Sequence, residues 1–269
     1  MRVVSLVPSL TEATAATAPA LLVGATAWCT HPADLDVERI GGTKNPDIPR
    51  IAALAPDLVV ANEEENRPED LAALREAGIS VLVTQIRTLD EAFRELDRML
   101  TVGCGLNRPG WLDAAEAAWS SIAPASSVAP ATSVTPAASV TSMPPATSVA
   151  PITPAASVPA VVPIWRRPWM VLGRDTFAGD VLARLGVRNV YADHAERYPK
   201  IPLPELLTGG AELVVLPDEP YAFSASDGPE AFPGLPSALV SGRHLTWYGP
   251  SLVEAADVLR RQLHAAALS

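Results

Sequence analysis

The run Arg2-Val3-Val4-Ser5-Leu6-Val7-Pro8-Ser9-Leu10-Thr11-Glu12 decides the architecture. Residues 3–7 form a β-branched stretch that stops at Pro8, and Ser9 or Thr11 can cap a helix whose first turn Glu12 favours. The unit recurs. Residues 21–25 lead through a polar loop to a short helix at 49–54, and the strand 58–61 is followed by a helix at 69–77 that Gly78 terminates. A strand at 81–83 and two helical patterns at 89–100 and 111–119 complete the first half. Alternating strands and helices predict parallel sheets, because a parallel crossover needs a helix to carry the chain back.

Composition bounds the function. The chain has 269 residues, 48% of them hydrophobic, enough for one large or two modest cores. Twenty Lys and Arg against thirty Asp and Glu give a net charge of −10, which disfavours a nucleic-acid partner. Cys29 and Cys104 are too few for a disulfide framework. The longest apolar runs fall short of the roughly 20 residues of a membrane helix, so no membrane span is expected.

The pattern breaks once. Residues 123–162 carry no charge and repeat a Pro-Ala-Xaa-Ser-Val unit beginning at Pro124, Pro130, Pro136, Pro145 and Pro154. Small and hydroxylated side chains bury too little area to offset about 1–2 kcal/mol of backbone entropy per ordered residue, so a disordered insert at 123–160 is expected. Its replacement by a short linker should then cost little stability. The alternation resumes with an apolar stretch at 161–164, helices at 177–185 and 203–207, a strand at 213–216 and a last helix at 251–263. The expected organisation is an N-terminal α/β lobe (1–100), a linking helical segment (101–122), the insert, and a C-terminal α/β lobe (161–269). Ligands of such Rossmann-like sheets bind beyond the carboxyl ends of the strands, in a cleft between the lobes.

The segments after those strands hold Ser9, Trp28, Asn45 and Glu64 in the first lobe, and Trp165, Arg166, Trp169, Tyr221, His244, Trp247 and Tyr248 in the second. Half of the chain's six Trp, four Tyr and four Phe lie in these loops. Flat aromatic faces beside Arg, Asn and Glu suit a large planar ligand with polar edges; packing of lobe against lobe would use the same rings. Cys29, His31 and His244 could approach a metal, or could be a buried thiol and hydrogen-bonded rings. Glu63-Glu64-Glu65 could meet a cationic ligand or Arg166 and Arg167 across the cleft. GxSxG, GxGxxG, Walker and HExxH patterns are absent, so a catalytic site has little support.

The opening run, together with Gly41-Gly42-Thr43-Lys44-Asn45-Pro46-Asp47 and Leu54-Ala55-Pro56-Asp57-Leu58-Val59-Val60, resembles the cobalamin and iron-chelate solute-binding proteins, also called helical-backbone metal receptors. The corrinoid binders are the nearest branch. The resemblance covers residues 1–120 and 161–269 and implies two lobes joined by one long helix, with Trp247 covering one face of the ligand and Ser9, Trp28, Trp165 and Trp169 lining the cleft. It also implies delivery to an ABC permease through an acidic residue on each lobe. Here Pro49 and Pro204 stand at the corresponding helix starts, with Asp47 and Glu205 beside them.

These readings lead to a monomeric binding protein for a corrinoid or related metal chelate, with no catalytic residues and no resident cofactor. An enzyme acting on such a compound and a ligand-controlled interaction protein are the competing readings. Because residues 3–7 are a core strand where an export signal would stand, a cytoplasmic location is expected, or an extracytoplasmic one if the true start lies upstream.

Overall fold

Two parallel sheets dominate the computed structural model, which describes residues 1–120, 122 and 157–267. The first lobe runs β1 (Val3–Ser5), α1 (Pro8–Thr17), β2 (Leu22–Ala25), β3 (Glu38–Arg39), a small hairpin of β4 (Gly41–Gly42) and β5 (Asn45–Pro46), then α2 (Ile48–Ala53), β6 (Leu58–Asn62), α3 (Pro68–Glu76), β7 (Val81–Thr84) and α4 (Leu89–Asp97). Its sheet has the order β3-β2-β1-β6-β7, every neighbouring pair parallel. A π-helical turn over residues 98–103 and helix α5 (Gly110–Ser120) follow.

The second lobe comprises β8 (Val158–Val161), β9 (Pro163–Trp165), β10 (Met170–Val171), α6 (Phe177–Arg184), β11 (Val187–Asn189), α7 (Leu203–Thr208), β12 (Leu213–Pro217), β13 (Ser237–Val240), α8 (Gly242–Thr246) and α9 (Leu252–Ala267). Its four-stranded sheet, β11-β8-β12-β13, is again all parallel. The central strands β6 and β12 are buried at every residue. Strands covered by helices on both faces must be apolar throughout, which explains their near-continuous Leu and Val.

Several local expectations shift. Helix α1 starts at Pro8, not after a Ser9 or Thr11 cap: Pro8 occupies the first turn, where its missing N–H is no loss, and Val7 precedes it without a side-chain cap. Thr11 instead donates its hydroxyl to the Val7 carbonyl at 2.9 Å. The 161–164 stretch is not one strand, because Pro163 lacks an N–H for the ladder; β8 ends at Val161 and β9 pairs antiparallel with β10. The expected insert ends too late, since Val158, Pro159 and Ala160 already pair with β11; the rest of it, residues 123–156, lies outside the described residues. Among the described residues, the linking helix is the 11-residue α5. At α2, Asp47 is spent as a cap, its carboxylate accepting from the Arg50 N–H at 3.0 Å, and Glu205 lies in the first turn of α7.

The lobes share one core. A continuous apolar cluster holds Leu10, Leu89, Leu96 and Leu112 from the first half and Val181, Leu245, Leu252 and Leu259 from the second. Trp119, 1% exposed, donates its indole N–H to the Leu252 carbonyl at 2.9 Å and so fixes α5 to the start of α9. A smaller cluster around Phe223 and Phe232 lies within the second lobe.

Candidate functional site

The loop after β6 shows how the site is shaped. Asn62 and Asn66 are both buried, and each uses its side chain to bend the backbone. The Asn66 side-chain oxygen accepts from the Asn62 N–H at 2.9 Å, and the Asn62 oxygen accepts from the Glu64 N–H at 2.9 Å. Asn62 also donates to the Thr84 hydroxyl (3.1 Å), and Asn66 donates to the Thr43 carbonyl (3.0 Å). Lys44 closes the turn from outside, donating to the Glu64 carbonyl at 2.5 Å. These bonds present Glu64 and Glu65 to the space between the lobes.

That space is a cavity of about 350 Å³. Its first-lobe wall includes Val7, Ser9, Asn62 and Ile86 beside the two glutamates; the second lobe contributes chiefly Ile164, Met170, Phe177, Tyr198, Glu219 and Trp247. Trp247 forms one face, with its indole N–H donated to Glu219 at 3.0 Å and the His31 ring set edge-on at 5.4 Å between centroids. Glu219 is placed by a close backbone approach: a Cβ on Gly242 would fall 2.6 Å from the Glu219 nitrogen. Tyr248 is buried beside Ser9, with its ring edge against Phe177 at 5.6 Å.

The lobes touch across this cavity through charge. Glu64 accepts from the Tyr198 hydroxyl and pairs with Arg197 at 3.3 Å, while Glu12, midway along α1, pairs with Arg243 of α8. Burial pushes the Glu65 carboxyl above its usual value, and Lys44 partly opposes that rise. Glu219 is likewise raised by burial, against the lowering effect of the Trp247 N–H. Tyr198 and Tyr248 are also raised by burial, reinforced by the nearby glutamates.

Of the residues expected at the site, Ser9, Glu64, Trp247 and Tyr248 line the cavity. The structure does not bring the others to its wall. Trp28 is 67% exposed beside Gly42, and Asn45 is exposed in β5. Trp165, 43% exposed, packs edge-on against Tyr221, whose hydroxyl donates to Asp227 at 2.7 Å. Arg166 lies over Trp169 and pairs with Asp227 and Glu230, satisfying it within its own lobe, and Glu63 meets Arg87 rather than Arg166 or Arg167. Trp169 stacks on Phe223 and meets Phe232, so these rings form second-lobe packing. His244 is held between Ser241 (2.8 Å) and Glu254 (3.1 Å).

Cys29 is buried, its sulfur 3.0 Å from the Thr11 hydroxyl and 3.2 Å from that of Thr26. Among the described residues no group of three or more His, Cys, Asp or Glu side chains is arranged to hold a metal ion. The lining residues not expected from sequence include Met170, Phe177 and Tyr198, which look like ordinary strand, helix and loop residues. Glu65 and Glu219 did carry a signal, each standing just after a buried strand.

A family model described as periplasmic binding protein matches residues 3–219. A vitamin B12-binding protein of Vibrio cholerae serotype O1 is 37% identical over 92 residues, which are 34% of this chain and 33% of that protein. The chain thus matches about a third of the length of the first such relatives. The vitamin B12-binding protein of Pectobacterium carotovorum subsp. carotovorum is 22% identical over 269 residues, covering 98% of this chain and 88% of the relative. The fold is shared with the periplasmic heme-binding protein RhuT of Roseiflexus sp. RS-1 in apo form, at a TM-score of 0.73 and 20% identity over 99% of this chain and 98% of that one. It is also shared with the periplasmic vitamin B12 binding protein BtuF of Vibrio cholerae, at a TM-score of 0.68 and 17% identity over 100% and 98%.

Proposed function

The chain belongs to the periplasmic binding protein family, and from that premise we propose that it is a receptor for a corrinoid or closely related metal chelate, held between the lobes with Trp247 against one face of the ring. The observation that carries this reading is the interlobe cavity itself: an aromatic plate, apolar walls and a few convergent polar groups, the usual make-up of a small-molecule site. The relatives named as vitamin B12-binding proteins favour a corrinoid within the chelate class. A corrin ring with its side chains occupies more than about 350 Å³, so on this proposal the ligand extends out of the cavity or the lobes part, and the Glu64 contacts with Tyr198 and Arg197 are interlobe bonds that parting would break. The chelate is cargo, with no catalytic step assigned to the chain. The proposal takes the protein as a monomer that hands its ligand to an ABC permease outside the cytoplasmic membrane. The cytoplasmic expectation has no support from the family or from the periplasmic heme-binding and vitamin B12 binding proteins that share the fold.

Titration with cobalamin, cobinamide, haem and a ferric siderophore, read by tryptophan fluorescence and melting temperature, tests the reading. Cobalamin or cobinamide should quench at one equivalent, and a ligand at 100 times its Kd adds about 2.7 kcal/mol of stability. Trp247→Ala should weaken binding while retaining a cooperative melt. Absence of quenching and of any shift across the panel overturns the proposal, and fractionation of native cells decides the location.

A further inference from the structure

The ionisable groups on the cavity wall all have one sign. Glu64, Glu65 and Glu219 line it together with the phenols Tyr198 and Tyr248, and no Arg, Lys or His is among its lining residues in the described part of the chain. Of the nearby basic groups, Lys44 bonds the Glu64 carbonyl, Arg197 pairs with Glu64 and Arg243 with Glu12, while His31, edge-on to Trp247 and near enough to act on Glu219, is not a lining residue. The start of α1 also faces the cavity through Pro8 and Ser9, and offers a partial positive charge of roughly half a unit. That is less than the charge of the carboxylates around it. A carboxylate on a bound ligand would therefore enter a half-buried space with like charges and no cation to meet it, whereas an amide N–H would find acceptors in place.

We propose that Glu65 and Glu219 make this cleft select a chelate whose rim carries amide N–H donors over one whose rim carries carboxylates. The inference rests on the reading of the cleft as a macrocyclic-chelate site and adds what discriminates within that class. Glu64 is the lesser contributor, because Tyr198 and Arg197 already occupy its oxygens. Glu65 and Glu219 are the two whose carboxyls burial has pushed upward, against weaker lowering by Lys44 on Glu65 and by the Trp247 N–H, His31 and Arg243 on Glu219.

Haem and its bis-amide, in which both propionates are converted to primary amides, share one macrocycle and one metal and differ at the rim alone. On the unaltered protein the bis-amide should bind at least tenfold more tightly than haem, a comparison that depends on no variant. In Glu65→Gln/Glu219→Gln, and to a lesser degree in Glu219→Gln alone, the ratio should fall towards one, because the amides keep the acceptor oxygens and lose the charge. Equal or tighter binding of haem by the unaltered protein overturns the inference, as does a ratio that a folded double variant leaves unchanged. Cyanocobalamin is titrated in parallel. If it binds while the haem ratio is one, the selection rule alone fails; if neither corrinoid nor either haem binds, the chelate reading fails and this inference with it.

Discussion

Glu65 shows at the scale of one side chain how a binding site weakens the fold that carries it. Its carboxyl is raised mainly by burial, so the folded protein holds the proton more tightly than the unfolded chain does. For an acid with a raised folded value, the penalty is absent below the ordinary Glu range, where both states are protonated. It grows as pH climbs through that range and is complete above the folded value. Glu65→Gln should therefore raise the melting temperature at pH 8, and the gap between variant and unaltered protein should close as pH falls towards 4. Melting curves across that interval check it; a variant that melts below the unaltered protein at pH 8, with the difference vanishing in acid, would show that Lys44 outweighs burial. The loop that aims this residue was partly legible, because Asn62 and Asn66 flank the three glutamates in the pattern of a side-chain-bent turn. That Glu65 faces the cavity was not, since it depends on Thr84 and Thr43 from distant segments closing the same network.

Among the elements, α4 has its start defined most fully. Thr88 accepts from the Glu91 N–H at 3.2 Å, and the Glu91 carboxylate accepts from the Thr88 N–H, a reciprocal capping box. The next backbone N–H, that of Leu89, donates to Asp180 of α6 at 2.9 Å, and Arg184 of α6 reaches Asp90 at 3.0 Å, so the same helix start joins the two lobes. Thr88→Ala should lower unfolding stability by about 1 kcal/mol, with Thr88→Ser close to the unaltered protein. Chemical denaturation with an unchanged slope is the measurement; a loss well above that figure would show that the cap also holds the α4–α6 contact. The period of the apolar residues predicted this helix well, but its last turn departs, residues 98–103 taking the wider π form.

Across the whole molecule, the ion pair of Glu12 and Arg243 and the continuous core argue for cooperative unfolding. Glu12 is buried and Arg243 retains about a quarter of its side-chain surface. Glu12→Ala strands the guanidinium, and its partial exposure moderates the cost to about 2–3 kcal/mol. Calorimetry should show one transition, displaced downward as a unit, with Glu12→Gln displaced less because it keeps an acceptor. Two separated transitions would show that the lobes melt independently and that the shared core contributes little to their coupling.

The strand and helix alternation, the parallel sheets and the two-lobed plan were determined by the sequence alone, because apolar periodicity, Pro8, Gly78 and the buried runs of β6 and β12 act over a few residues each. Trp247 and Ser9 were legible for a similar reason: each lies just beyond a strand or before a helix, where such folds place ligands. The tertiary structure alone decided which loop aromatics reach the cavity. Trp169, Tyr221 and Arg166 carry the same local chemistry as Trp247, but Phe223, Phe232 and Asp227 satisfy them within their own lobe. Tyr198, Phe177 and Met170 line the cleft for a reason no local pattern contains: the path of the second lobe turns them towards Glu64 and Tyr248. Local sequence encodes what each segment buries, and which partner covers it is fixed when distant segments compete for the same surface.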